Sequence, residues 1–90
     1  MADEPRWRRD ERLPFQDVQG MTVVVVPSRR ELHRLEESAP FLWSALQRPK
    51  TVVQLAEALC EEFDVDAATA EKDVREFLAS LEEKGLVVRA

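Results

Sequence analysis

From Glu31 to Leu35 the chain alternates polar and apolar residues, Glu-Leu-His-Arg-Leu. A period of two sorts side chains onto the two faces of a pleated chain, so this stretch predicts a short strand. Upstream, Met21–Val26 contains four consecutive valines. A β-branched run of this length predicts a strand buried on both faces, and Pro27 ends it. Ser28-Arg29-Arg30 turns the chain back, so the two strands should pair as an antiparallel hairpin. Leu13–Val18 predicts a first, shorter strand, which Pro14 confines to an edge or a strand start, followed by a turn at Gln19-Gly20.

Beyond Leu35 the period changes. Ala39, Leu42, Trp43 and Leu46 recur at i, i+3, i+4 and i+7, one apolar stripe of a helix that runs to about Gln47. Ser38 is its expected N-cap, and Pro40 falls in the first turn, where a missing N–H costs nothing. Phe41 lies ~200° around the helix from Trp43, so another part of the fold covers it or it faces a partner. After the linker Arg48-Pro49-Lys50, Thr51 and Gln54 form a capping box. Val52, Leu55, Ala56, Leu59 and Phe63 make the buried stripe of the second helix. Asp64-Val65-Asp66 is a turn whose last residue can cap a third helix, with Ala70, Val74, Phe77, Leu78 and Leu81 on one face. Lys84 suits the negative end of that helix, Gly85 provides a left-handed stop, and Leu86-Val87-Val88 adds a strand-like segment.

The order is strand, strand, strand, helix, helix, helix, with a tight turn between the last two helices. The expected fold is α+β and winged-helix-like: a three-stranded antiparallel sheet packed on three helices. Residues 13–90 form the domain. Met1–Arg12, dense in both charges and offering a core only Trp7, reads as a flexible charged arm.

Composition narrows the function. Ninety residues suffice for one small core but not for a deep active-site cavity. The net charge of −5 argues against nucleic acid, where phosphate contacts supply most of the affinity. One cysteine (Cys60) and one histidine (His33) cannot make a metal cluster of the usual spacing. Cys60, followed by Glu61 and Glu62, reads as a small core residue rather than a reactive thiol. No stretch approaches the ~20 apolar residues of a membrane span, and the first twelve residues lack the apolar core of a secretory signal. The cytoplasm is the expected compartment.

No catalytic set is visible, and no cofactor is implied. The carboxylates of the helices read as solvated faces, and His33 as a half-buried structural residue. A helix-turn-helix would put the third helix into the major groove, yet Glu71, Asp73, Glu76, Glu82 and Glu83 outnumber Lys72, Arg75 and Lys84 on it. What remains is a binding module. An edge strand presents unpaired N–H and C=O groups that an extended peptide can complete as an added strand.

The pattern then resembles a known family. Val23-Val24-Val25-Val26-Pro27, Leu32-His33-Arg34-Leu35, Ser38-Ala39 and Leu42-Trp43 are similar to the PqqD-like proteins, named for pyrroloquinoline quinone biosynthesis protein D. So are Thr51-Val52 with Leu55 and Leu59, Asp73-Val74 with Phe77-Leu78 and Leu81, and Gly85-Leu86-Val87. The likeness runs from about Leu13 to Val88. Glu36 stands where the family commonly has Asn, and Ser28-Arg29-Arg30 replaces its usual glycine turn.

The resemblance implies a non-catalytic adaptor, a peptide-recognition element for ribosomally made, modified peptides. It would bind the leader segment of a precursor peptide and present it to a modifying enzyme, often a radical S-adenosylmethionine protein. Carried over by position, the leader pairs with Glu31–Leu35 and lies against the helix Ala67–Lys84. The implied peptide-binding residues are Glu31, Leu32, His33, Arg34, Leu35, Glu71, Arg75 and Leu78, with Asp73 and Phe77 the competing flank of the helix. Arg29, Arg30 and Arg34 suit an acidic leader, or protect the edge from aggregation. The rival readings are a winged-helix DNA binder and a structural interaction domain, the latter marked by a homodimer through the strand edge.

Overall fold

A computed structural model describes residues 4–90. It contains strands β1 (Trp7–Arg9), β2 (Phe15–Val18), β3 (Met21–Val26) and β4 (Glu31–Leu35), helices α1 (Ala39–Ala45), α2 (Val52–Glu62) and α3 (Ala67–Glu83), and strand β5 (Val87–Arg89). β2, β3 and β4 form an antiparallel sheet in that order, so β4 is an edge. A separate antiparallel pair joins β1 to β5. The expected three-stranded sheet and three helices are all present.

The β2–β3 hairpin closes on Gln19 (φ 52°) and Gly20 (φ 81°). Two left-handed residues in a two-residue loop match the twist of the strands they join. β3 is buried on one face rather than two. Thr22, Val24 and Val26 are buried, while Met21, Val23 and Val25 are half-exposed. The helices cover only the inner face of the sheet, so the valine run measures strand propensity, not two-sided burial. Buried Thr22 is satisfied: its hydroxyl donates to Asp17 Oδ1 at 2.6 Å.

Arm-like behaviour over 1–12 needs correction. Met1–Asp3 lie outside the described residues, but Trp7–Arg9 is an ordered strand. Trp7 is only 7% exposed. Its N–H donates to Lys50 C=O, and Lys50 N–H donates back to Trp7 C=O, both at 2.8 Å. Arg89 stacks over the indole, 4.8 Å from the ring centroid. Arg9 extends its guanidinium 4.7 Å from the centroid of Phe15 and donates to Trp43 C=O at 3.4 Å. Charged residues therefore dock here through backbone bonds and cation–π contacts that a count of apolar residues does not register.

Trp43 and Leu42 from α1 and Leu46 just after it meet Leu55 and Leu59 of α2, Val74, Leu78 and Leu81 of α3, and Val24 and Leu35 of the sheet in one core. Phe41 is half-buried against the core and meets the partly exposed Phe63 edge to face at 5.6 Å. Cys60 is half-buried against the core. Ser38 does not cap α1. Its backbone is already helical and its hydroxyl makes no cap bond. Glu37, at φ 61°, turns the chain from sheet to helix instead.

The other caps form as expected. Thr51 and Gln54 make a complete capping box, and Asp66 Oδ1 accepts from Thr69 N–H at 2.7 Å. Gly85, at φ 76°, ends α3. Thr51→Ala should lower stability by about 1 kcal/mol in chemical denaturation. The Thr69 amide, bonded to the Asp66 carboxylate, holds its pKa below the ordinary 3.8. The Arg12 side chain, bonded to Asp10, does the same there. A carboxyl depressed in the folded state stabilises above the unfolded value, and that contribution disappears as pH falls through the folded one. An Asp66→Asn variant keeps the cap but cannot titrate. Its stability should therefore fall less steeply than the parent's below about pH 4, read as denaturation midpoints across an acid series.

Candidate functional site

β4 pairs with β3 on one side only. The register sets Thr22 opposite Leu35, Val24 opposite His33 and Val26 opposite Glu31. Val25 N–H donates to Pro14 C=O at 2.9 Å, toward the β2 side. Backbone groups alternate along a strand, so Val24 and Val26 point at β4 and bond His33 and Glu31. Leu32 and Arg34 are left with N–H and C=O groups directed to the open edge. Two donors and two acceptors thus stand ready for another strand.

Side chains alternate as well. Leu35 and His33 lie on the inner face with Thr22 and Val24. Leu35 is 4% exposed and serves as core. The His33 ring is 17% exposed, with Nε2 3.2 Å from Glu31 Oε1. Leu32 and Arg34 face outward, and Leu32 is 58% exposed. Leu32 therefore offers a peptide its backbone, not a groove-lining side chain.

α3 lies beside this edge and runs the opposite way. At its C-terminal end Arg29 Nη1, in the turn before β4, donates to Lys84 C=O at 3.3 Å. Nearer the middle of the helix, Asp73 shares a concavity of about 340 Å³ with Glu37 and Ser38, which follow β4. Leu59, Phe63 and Val65 provide the apolar walls of that concavity. The flank of α3 turned to the segment that follows β4 is therefore the one carrying Asp73 and, one turn on, half-buried Phe77.

Glu71 and Arg75 are not on it. Arg75 lies ~200° around the helix from Asp73. With Leu78, Ala79 and Glu82 it borders a different concavity of about 400 Å³ against Trp7, Val52 and Val53. Glu71 pairs with it at 2.8 Å on the exposed surface. Leu78 is 3% exposed and belongs to the core. Of the residues expected beside the peptide, the structure brings together the β4 set but sends the Glu71–Arg75 pair to the other flank. Glu37, Phe63 and Val65, far apart in the sequence, border the concavity at the end of β4. Only the tertiary approach of α2 and α3 to the end of β4 makes them neighbours.

Charge is uneven along the edge. Arg29 and Arg30 stand before β4, and Glu36 and Glu37 after it, with Asp73 alongside. Among the described residues none of these five is held in an ion pair.

Comparison with known proteins bears on this geometry. A family model described as "Coenzyme PQQ synthesis protein D (PqqD)" matches residues 22–87. A PqqA binding protein of Xanthomonas oryzae pv. oryzae is 32% identical over 84 residues, covering 93% of this chain and 89% of that protein. The bifunctional coenzyme PQQ synthesis protein C/D of Methylorubrum extorquens is 32% identical over 88 residues. That match covers 98% of this chain, which spans 23% of the larger protein. Among solved structures, TbiB1 in complex with the TbiA(beta) leader peptide superposes with a TM-score of 0.81 at 25% identity, covering 89% of this chain and 93% of that one. Lasso peptide synthetase B1 complexed with the leader peptide shares the fold, with a TM-score of 0.80 at 21% identity, covering 91% and 96%.

Proposed function

The chain belongs to the PqqD family, and from that premise we propose that it binds the leader segment of a ribosomally made precursor peptide as a strand added to β4. It acts in the cytoplasm as an adaptor without chemistry of its own, presenting the peptide to a modifying enzyme such as a radical S-adenosylmethionine protein. One observation carries the reading: the outward N–H and C=O groups of Leu32 and Arg34 lie on an open edge. The relatives support it. The Xanthomonas protein is a PqqA binding protein, and TbiB1 was solved with a leader peptide. The Methylorubrum relative carries its matching segment within a bifunctional biosynthesis protein, which favours work beside an enzyme.

The energetics are modest. Micromolar affinity requires about 8 kcal/mol, within reach of several backbone hydrogen bonds and one or two apolar anchors. Tethering the leader to the enzyme raises the effective concentration of the segment to be modified. In this reading the groove is lined by Asp73 and Phe77 beside β4, and Glu71 and Arg75 stand outside it. The isotope-labelled chain can be titrated with the leader of any precursor peptide encoded near its gene. Amide shifts should concentrate on Glu31–Leu35 and on the Asp73–Phe77 flank. Shifts confined to Thr51–Lys84 that spare the strand would refute strand addition.

A further inference from the structure

We infer that the groove selects a peptide segment in which an arginine or lysine stands two positions from an apolar residue, and that it seats this pair at the Glu37 end of β4. The inference rests on the strand-addition reading and adds the chemistry of the occupant. The concavity at that end has an apolar lining of Leu59, Phe63 and Val65, while Glu37 and Asp73 stand on its rim. An apolar side chain entering it is held by the lining. The residue two positions along, on the same face of the added strand, meets at the mouth two carboxylates that no cation satisfies among the described residues. A guanidinium or ammonium is attracted there, and an acidic residue is repelled.

The opposite end of β4 carries the reverse sign, in Arg29 and Arg30. Five strand residues separate the ends by roughly 17 Å, beyond the ~8 Å over which salt lets charges act at physiological strength. The two ends therefore read a peptide independently. A segment basic at one end and acidic at the other fits in one direction and is repelled in the other. Electrostatics thus sets the polarity and register of a strand whose backbone bonds alone would accept several.

The test uses a random peptide library displayed on phage and panned against the full chain, since the occupant is identified by its chemistry alone. Selected peptides should be enriched in Arg or Lys two positions from Leu, Ile, Val or Phe. Their affinity for a Glu37→Lys/Asp73→Lys double variant should drop about tenfold or more, and panning against that variant should favour acidic residues at that same-face position. Should the double variant fold poorly, the milder Glu37→Gln and Asp73→Asn variants should each lose severalfold, with the loss shrinking at high salt. Selected peptides that shift the Leu32 and Arg34 amides but show no charge preference, or bind the variants unchanged, overturn this inference and leave strand addition standing. Selected peptides that leave those two amides unmoved overturn both.

Discussion

Arg34→Pro should weaken binding of a panned peptide by about 2–3 kcal/mol, roughly 30- to 150-fold, while the domain stays folded. The Arg34 N–H points away from β3, so proline removes no bond within the sheet. Proline is tolerated on edge strands whose N–H faces solvent. The residue before it, His33, is already extended, as a pre-proline residue prefers. What is lost is the donor to the added strand, whose carbonyl is then left unpaired, and the ring obstructs close approach.

His33→Pro, one residue away, is the internal control. In this register the His33 N–H is committed to Val24, at the buried centre of the sheet. Removing it should cost about 3 kcal/mol or more of folding stability. Isothermal titration and thermal melts on both variants separate the two outcomes. If Arg34→Pro bound the peptide as well as the parent does, the ligand would not be lying along β4.

Trp7→Ala should lower stability by about 3–5 kcal/mol, as the loss of a buried aromatic generally does. A chain of this size has only about 5–13 kcal/mol in total. Its melting temperature should therefore fall by about 15–30 °C. The indole is enclosed between the α1–α2 linker and β5, under the Arg89 guanidinium. Truncation leaves a cavity there and loosens the strand that holds both segments. A shift of only a few degrees would restore the picture of an undocked N-terminal arm. Chemical denaturation followed by the fluorescence of Trp43 gives the same quantity independently.

That docking illustrates how far the order of residues can be read. β4 occupies the residues that its alternation predicts, Glu31–Leu35. The capping box at Thr51, the Asp66 cap and the Gly85 stop all form where the residue types place them. Each of these depends on neighbours a few positions away, and local steric and hydrogen-bonding preferences are written in the chain itself. The likeness to the PqqD family was legible for the same reason, because it rests on the spacing of such local features.

Other features were not local. β1 exists because β5 and Lys50 bring backbone partners from distant parts of the chain, and one tryptophan among charges has no period to announce it. The valine run identified β3, but only the placement of the helices decided which of its faces is buried. The flank of α3 that meets β4 depends on how the helix is rotated when it packs. Its stripe of Ala70, Val74, Leu78 and Leu81 names the buried face and is silent about which shoulder turns to the sheet. The approach of α2 and α3 to the segment after β4 made that choice, setting Asp73 and Glu37 around one concavity and leaving Arg75 on the far side.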